Sequence, residues 1–198
     1  MKIIDGGVTA AKGFKAAGMH AGIKKGTKKD MAMIVSSAPC MAAGTFTTNL
    51  VKAAPAKWDQ HVVYEHGEAR AVVVNSGIAN ACTGAEGYGY CEETAKAAAE
   101  ALGIDKDEVL VASTGVIGKQ LPIDTIKKGV KDLFGLLLDT REAATLAAES
   151  IMTTDTVKKE VAVEVEIGGK TVTIGGMCKG SGTVSYTHLR AHETVLDL

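Results

Sequence analysis

The chain has 198 residues, of which 46% are hydrophobic and 23% charged, a mixture typical of a globular chain with a sizeable core. Its 22 basic and 23 acidic side chains give a net charge of −1, and aromatic residues make up only 4%, so nucleic acid is excluded as an expected partner. No apolar run reaches the roughly 18 residues of a membrane span, and the first residues lack the apolar segment of a signal peptide. The sequence therefore predicts a protein of the cytoplasm with no membrane partner, or of an organelle matrix if a transit peptide has been lost.

The spacing of cysteines and histidines indicates neither a disulfide framework nor a metal site. Four cysteines without a C-x-x-C pair are typical, in a chain of this length, of free and mostly buried thiols. They are Cys40, Cys82, Cys91 and Cys178. His20, His61 and His66 show no spacing typical of metal ligands, and the last two lie in a charged segment that predicts exposure to solvent.

The first half of the chain predicts two strands separated by loops. Glycine, lysine and alanine dominate residues 6–30, which indicates looping backbone before a short apolar strand at residues 31–35. Residues 70–75 (RAVVVN) contain four consecutive apolar residues, typical of a strand covered on both faces. Residues 76–84 (SGIANACTG) are rich in glycine and asparagine and predict a break in the sheet.

The second half mixes helices and strands. Each of its three predicted helices has a start or stop signal: residues 91–102 before Gly103, residues 122–137 opened by Pro122 and Asp124, and residues 139–152 with capping-box spacing at the start. A strand is predicted at residues 109–112, and residues 161–167 and 171–174 form a hairpin about two glycines. Together these elements predict an α/β layered fold with much antiparallel sheet.

Residues 113–118 (STGVIG) are the first candidate for chemistry. They follow the strand predicted at residues 109–112, and a hydroxyl followed by glycine lets backbone N–H groups converge on an anionic oxygen, as an oxyanion hole requires. The segment lacks the G-x-x-x-x-G-K pattern of a phosphate loop. An ordinary glycine turn has the same composition, so the residues alone leave both interpretations open.

Two further segments carry polar groups suited to a pocket. Residues 152–156 (MTTDT) gather hydroxyls round one carboxylate, and residues 177–182 (MCKGSG) place a lysine where it could hold an anionic substrate group. Residues 152–156 could instead be the end of a helix, with the side chains hydrogen-bonded to nearby backbone groups. The lysine at position 179 could instead be an ordinary exposed surface residue. The chain has no G-x-S-x-G elbow and no recognisable basic partner for a catalytic cysteine, so no nucleophile is identified.

The last fifteen residues differ from the rest of the chain. They contain two of the five histidines and no glycine, and residues 184–194 (VSYTHLRAHET) closely resemble the peptide obtained when a sequencing-library adaptor is translated at the end of a read. We therefore expect a native portion at residues 1–183 and a non-native tail at residues 184–198 that does not contribute to the fold.

Taken in order, motifs of residues 5–182 resemble those of the bifunctional glutamate N-acetyltransferase/ornithine acetyltransferase family of arginine biosynthesis. Each motif is weak alone, and their common order and spacing carry the resemblance. The motifs are GVTAAKGF at residues 7–14, KAAGMHAGIK at 15–24, AAGTFTTN at 42–49, NSGIANACTG at 75–84, STGVIG at 113–118, MTTDT at 152–156 and KGSG at 179–182.

The resemblance implies an α/β sandwich of the N-terminal-nucleophile-like ornithine acetyltransferase type, incomplete in this chain, made from a precursor that cuts itself into an α- and a β-chain. It implies ping-pong transfer of an acetyl group from N-acetylornithine to glutamate through an acetyl-threonine, whose own α-amino group acts as base. Some members also accept acetyl-CoA. No metal or organic cofactor is implied, and the assembled enzyme is expected to be an α2β2 heterotetramer.

Four residues of this chain match the family's functional positions. The resemblance places the oxyanion hole on the hydroxyl of Thr114 and the backbone N–H of Gly115, and substrate contacts on Thr153 and Lys179.

Two positions depart from the family pattern. Ile78 stands where the family typically has an asparagine, and the nucleophilic threonine expected eleven residues after Lys179 is replaced by Arg190. The chain is therefore expected to be an α-chain portion that is inactive and poorly soluble without its β-chain. A non-catalytic small-molecule binding module and a related self-processing amidohydrolase or aminopeptidase are the alternatives.

Overall fold

The computed structural model describes residues 1–180, and four α-helices and seven strands lie within them. In chain order they are β1 (Lys2–Ile4), β2 (Phe14–Met19), β3 (Met31–Met41), α1 (Ala54–His61), β4 (Glu68–Ile78), α2 (Gly84–Leu102), β5 (Val109–Val116), α3 (Ile123–Phe134), α4 (Arg141–Ser150), β6 (Lys159–Ile167) and β7 (Lys170–Cys178). The predicted tail at 184–198, with Arg190, lies outside the described residues. None of the helices among residues 1–180 combines the length and the apolar character needed to cross a membrane.

A four-stranded sheet in the order β2-β3-β4-β5 forms the centre of the fold. β2, β3 and β4 pair antiparallel, whereas β4 and β5 run parallel, with Val73 opposite Val111 and Ser76 opposite Thr114. A parallel pair needs a crossover between its strands, and α2 provides it. The mixed, mostly antiparallel sheet confirms the predicted α/β fold.

Helices cover both faces of this sheet. The helices α1, α2 and α3 pack on one face, where Met33 and Val73 belong to a large apolar core. The helix α4 packs on the opposite face, where Val74 contacts a second core that contains Ala32 and Ala147. Because neighbouring side chains of a strand point to opposite faces, the apolar run of β4 serves both cores. The prediction of a strand covered on both faces is confirmed.

A smaller antiparallel sheet, β1-β6-β7, lies beside α4. Ile167 pairs with Lys170 across a two-residue turn, and both turn residues, Gly168 and Gly169, have positive φ values of 58° and 76°. Two such residues are what a tight hairpin turn requires, so the predicted hairpin is confirmed. An ion pair between Arg141 of α4 and Glu160 of β6, at 2.8 Å, ties this sheet to the helix.

The stretch at residues 6–30 contains a strand that its composition did not predict. A Cβ on Gly18 of β2 would lie 2.1 Å from the carbonyl oxygen of Leu146, so α4 packs directly on the backbone of this strand. Ala16 and Ala17 beside it are buried as well. The small residues of β2 form a strand because they allow this close approach of α4. This is an effect of tertiary packing, which the β propensities of single residues do not include.

β4 also continues further than predicted. Residues 76–78, which were expected to leave the sheet, pair with residues 114–116 of β5. The side chain of Asn75 donates a hydrogen bond to the carbonyl oxygen of Ile78 at 2.9 Å, which helps to hold this polar segment. The predicted break is therefore wrong for these three residues, because a parallel neighbour supplies the pairing that the segment's composition does not suggest.

The predicted helices exist, but several of their ends differ. The helix α2 begins at Gly84 rather than residue 91 and ends, as predicted, before Gly103, which has φ 67°. The helix α3 ends at Phe134 rather than residue 137. The backbone N–H of Ala143 donates to the hydroxyl of Thr140 at 3.2 Å, so a single N-cap starts α4 in place of the expected capping box. The helix α1 was not predicted.

The four cysteines are free, as predicted, but most of them are not buried. Cys91 is buried, Cys40 is half-buried, and Cys82 and Cys178 are exposed. The expectation of mostly buried thiols is therefore wrong, since half of the cysteines lie at the surface of the described residues.

Candidate active site

The residues predicted to form an oxyanion hole lie near the carboxyl end of β5, an edge strand of the central sheet. Thr114 is half-buried and pairs with Ser76, while Gly115 pairs with Gly77. Gly115 has φ 135°, and a Cβ on it would lie 2.2 Å from the carbonyl carbon of Gly77. Only glycine fits this position, so residues 113–116 are the end of a strand with closely apposed backbones rather than an ordinary turn.

Lys24 lies against Gly77 and joins this strand end to the turn after α4. A Cβ on Gly77 would lie 2.9 Å from the Cγ of Lys24, so the aliphatic part of the lysine covers the glycine. The Nζ of Lys24 donates hydrogen bonds to the carbonyl oxygens of Lys29 at 2.7 Å and Met152 at 2.6 Å. The lysine therefore links three separate segments of the chain.

Asp30 fixes the loop that presents Lys24. Its carboxylate is fully buried and accepts backbone N–H bonds from Ala21 at 2.6 Å and from Ile23 and Lys24 at 2.8 Å. The Nδ1 of His20 lies 3.1 Å from the same carboxylate. Burial lowers the pKa of Lys24, and the negative charge of Asp30 opposes this effect. Three bonds to one buried carboxylate leave the loop little freedom to move.

Asp155 holds the two remaining predicted site residues. The backbone N–H of Thr153 donates to its Oδ2 at 3.2 Å, and the Nζ of Lys179 lies 3.6 Å from the same oxygen. Its Oδ1 accepts bonds from the backbone N–H of Gly180 at 3.0 Å and from the Nζ of Lys159 at 3.1 Å. Burial would raise the pKa of Asp155, but these donors outweigh it and lower the pKa below its ordinary value.

Thr153 and Asp155, but not Lys179, line an open groove of about 320 Å³, a size suited to a small molecule. Its walls combine lysine side chains with hydroxyls and two carboxylates. They are formed by Lys24, Thr27, Lys28, Lys29, Glu149, Met152, Thr153 and Asp155. The lysines outnumber the carboxylates, so the groove suits an anionic group such as the carboxylate of an amino acid.

The structure connects all four predicted site residues through groups that the sequence analysis did not single out. Gly77 pairs with Gly115 and contacts Lys24, and Lys24 bonds the residue before Thr153. The sequence contained one sign of the role of Asp30. It is the only acidic residue between positions 6 and 58, and four lysines lie within the six residues before it.

The arrangement offers hydroxyl and backbone N–H donors and a groove lined by more lysines than carboxylates, but no activated nucleophile is evident among residues 1–180. Burial raises the pKa of Cys91 to about 12, so this thiol is not a thiolate at neutral pH. The chemistry that these residues can perform is stabilisation of an oxyanion and binding of a carboxylate.

Comparison with curated proteins adds an independent observation. The model of the ArgJ family matches residues 15–188. The chain is 52% identical over 181 residues to an arginine biosynthesis bifunctional protein ArgJ of Gloeobacter violaceus, covering 91% of this chain and 44% of the relative. It is 45% identical over 184 residues to a chloroplastic ArgJ of Zea mays, covering 92% of this chain and 40% of the relative. The chain thus spans less than half the length of these relatives.

Two solved structures share this fold. A Bacillus halodurans arginine biosynthesis bifunctional protein ArgJ superimposes with a TM-score of 0.87 at 43% identity, covering 93% of this chain and 95% of the solved chain. An ornithine acetyltransferase of Mycobacterium tuberculosis, complexed with ornithine, gives a TM-score of 0.86 at 43% identity and covers 92% and 96% of the two chains. The solved chains are matched almost end to end, whereas the curated relatives extend well beyond the match.

Proposed function

The chain belongs to the ArgJ family, and from this premise we propose that it supplies the oxyanion hole and part of the substrate groove of an acetyltransferase of arginine biosynthesis. The proposed reaction moves an acetyl group from N-acetylornithine to glutamate and releases ornithine. One observation supports it above all others: the backbones of Gly77 and Gly115 meet beside Lys24, which bonds the turn that carries Thr153. Acetyl transfer to an amino acid needs donors for the oxyanion and a group that binds the substrate's carboxylate, and this contact supports placing both in one site.

The proposed role of Thr114 and Gly115 is to stabilise the negative charge of the tetrahedral intermediate. When a nucleophile attacks the acetyl carbonyl, its oxygen becomes an oxyanion, and donors already in place lower the barrier because they need not reorganise. The close contact of Gly115 with Gly77 keeps the strand end rigid. In this proposal the hydroxyl of Thr114 and the backbone N–H of Gly115 are the two donors.

The proposed role of Lys179 and Thr153 is to bind the amino-acid part of the substrate. Asp155 holds both, and its lowered pKa keeps it ionised at neutral pH, so it orients Lys179 as a cation. Lys24, which lines the groove together with Thr153 and Asp155, adds a second positive charge. A site with two ammonium groups is suited to the carboxylate that N-acetylornithine and glutamate share.

We further propose that a β-chain of the same precursor completes the site and supplies the threonine nucleophile, in an α2β2 assembly. Val116 and Ile117, next to the proposed oxyanion hole, are 60% and 66% exposed, which is typical of an apolar surface that a partner covers. The near-complete match to solved ArgJ chains of this size, beside relatives more than twice as long, also supports a division of the protein into two chains.

We propose that the tail at residues 184–198 is non-native sequence, although the match to the family model extends to residue 188. Sequencing the source DNA onward from the codon of Gly182 tests this. A continuation into an apolar stretch ending in Met-Ala-Thr, followed by a further domain, supports the proposal. A genomic stop codon directly after Leu198 would contradict both the non-native origin of the tail and the acetyl-threonine mechanism.

We propose a cytoplasmic location, no metal or organic cofactor in catalysis, and acetyl-CoA as an additional acetyl donor. The last point has a direct test, since an enzyme that uses acetyl-CoA makes N-acetylglutamate from glutamate without N-acetylornithine. Absence of product under those conditions would limit the enzyme to exchange between the two amino acids.

The full-length protein encoded by the gene tests the main proposal. Release of ornithine beyond the first equivalent, which acetylates the threonine, should require glutamate as acceptor. Thr114→Ala should lower kcat by about 10²-fold, the usual effect of losing one oxyanion donor. Hydrolysis of amides or small peptides without transfer would instead identify a self-processing amidohydrolase. Binding of N-acetylornithine without any turnover would identify a binding module.

A further inference from the structure

A cluster of metal-binding groups lies outside the proposed active site. One ligand atom from each of His61, His66 and Asp107 lies within 4.8 Å of the others. His61 ends α1, His66 ends the π-helical turn Val62–His66, and Asp107 lies in the 3₁₀ turn Lys106–Glu108 before β5. The spacing of the histidines along the chain did not predict this arrangement.

The π-helical turn explains why the two histidines meet. Side chains five residues apart on an α-helix point about 140° away from each other, because each residue turns the helix by about 100°. In this turn the backbone N–H of Gly67 donates to the carbonyl oxygen of Val62 at 3.1 Å, a bond between residues five apart. The same wider spacing brings the rings of His61 and His66 together, with their centroids 5.4 Å apart.

The two carboxylate oxygens of Asp107 have different partners. Its Oδ1 lies 3.0 Å from the Nζ of Lys106, whereas its Oδ2 faces the Nε2 of His66 at 3.7 Å. The Nζ of Lys106 is also anchored 5.3 Å above the centre of the Trp58 ring. Lys106 thus orients the carboxylate through one oxygen and leaves the other directed at the histidines, as the outer partners of metal-binding carboxylates do.

We propose that His61, His66 and Asp107 bind one divalent transition-metal ion of the Zn²⁺ type. Two imidazoles and a carboxylate are donors that Zn²⁺ accepts, with bonds of about 2.0–2.2 Å that bring the ligand atoms to about 3.4 Å from one another. His61 and His66 are exposed, so rotation of their side chains can close the present gap of up to 4.8 Å. Water completes the coordination.

The ion would tie the end of α1 to the start of β5. Thr114 and Gly115 lie at the other end of this strand, about 20 Å away at the usual rise of a strand. The ion therefore acts as a structural link rather than as a reactant, and the site does not depend on the acetyltransferase function.

Zn²⁺ titration of the protein by isothermal calorimetry tests the proposal. His188 and His192 are replaced by alanine in every sample, because they are the other histidine pair close in sequence. The protein should bind one equivalent that the double variant His61→Ala/His66→Ala loses, and Asp107→Asn should weaken this equivalent at least about tenfold. Glu65→Gln, which changes an exposed carboxylate of the same turn, is the matched control and should bind as the parent does.

Histidine ring signals in nuclear magnetic resonance spectra give a second measurement that does not depend on the variants. Zn²⁺ should shift the ring signals of His61 and His66 but not those of His20. An unchanged number of Zn²⁺ equivalents in the double variant, or unshifted signals, would show that the cluster is only an ion pair between His66 and Asp107 and overturn the proposal.

Discussion

Gly77 and Gly115 lie opposite each other on two parallel strands, and the backbone of Gly77 approaches Gly115 so closely that Gly115 has no room for a side chain. A Cβ on Gly115 would lie 2.2 Å from the carbonyl carbon of Gly77, and a Cβ on Gly77 would lie 2.9 Å from the Cγ of Lys24. The three residues form a continuous contact from the proposed oxyanion hole to the groove. We therefore expect a change at any one of them to affect both the proposed oxyanion hole and the groove.

The first prediction concerns Gly115→Ala in the full-length protein. The methyl group cannot be accommodated without moving the end of β5, and the φ of 135° is strained for alanine. We expect the variant to lose about 1–3 kcal/mol of stability and about 10²-fold in kcat, since the oxyanion donors move with the strand. Thermal denaturation and the acetyl-transfer assay measure the two effects.

Gly118→Ala is the matched control for this prediction. Gly118 also has a positive φ, of 77°, but no atom lies within 4 Å of the position that a Cβ would take. It should lose about 1 kcal/mol from backbone strain and keep its kcat. Equal losses of kcat in both variants would show that strain, and not the contact with Gly77, accounts for the effect.

The second prediction concerns Asp30→Asn. The asparagine side chain has one acceptor oxygen where the carboxylate has two, so its amide group would face backbone N–H donors from Ala21, Ile23 or Lys24. Because the site is fully buried, we expect a loss of about 2–4 kcal/mol, measured by urea denaturation. The KM for N-acetylornithine should rise, since the loop that presents Lys24 loosens.

Asp139→Asn, at an exposed position before α4, serves as the control and should change neither the stability nor the KM by a measurable amount. A stability of Asp30→Asn equal to that of the parent would show that the loop does not depend on the carboxylate.

Part of the fold and part of the site could be predicted from the sequence. The apolar run of β4 and the alternation of β6 and β7 identify their strands because burial dictates residue type there. β2 was missed because its alanine and glycine residues have little tendency to form a strand by themselves. They form one because they let α4 pack closely, and a local sequence pattern carries no information about that contact. The four site residues came from a family resemblance, whereas Lys24 and Asp30 act through contacts between segments far apart in the chain.

The third prediction concerns the pH dependence of Asp155. Its pKa is lowered from 3.8 in the folded protein, so its contribution to stability is present above that value and is lost as the pH falls through the folded pKa. At pH 7, Asp155→Asn should cost about 1–3 kcal/mol, because bonds from Lys159 and Gly180 lose their charged acceptor. Below the folded pKa the difference from the parent should shrink.

Urea denaturation at several pH values between 2 and 7 measures this difference. The control is Asp124→Asn, which changes an exposed carboxylate. A difference that stays constant with pH would show that Asp155 stabilises the turn by its shape and not by its charge.

The fourth prediction concerns Asp59, which lies on α1 beneath β5 and accepts a hydrogen bond from the backbone N–H of Val111 at 2.8 Å. Burial raises the pKa of Asp59 from 3.8 to about 7, although the bond from Val111 opposes the rise. Between these values the unfolded chain has released the proton that the folded protein keeps, so stability falls as the pH rises from about 4 to 7. Above pH 7 both states are ionised and the loss is complete.

Asp59→Asn imitates the protonated acid and should remove this pH dependence. The asparagine can still accept the bond from Val111, and we expect the variant to be more stable than the parent at pH 8 by about 2–4 kcal/mol, since each pKa unit corresponds to about 1.4 kcal/mol. At pH 4 the two proteins should have nearly equal stability. Urea denaturation between pH 4 and 8 measures these differences, with Glu65→Gln as the control for an exposed carboxylate. A variant that is less stable than the parent at pH 8 would contradict the prediction, since it would mean that Asp59 is ionised and favourably paired in the folded protein.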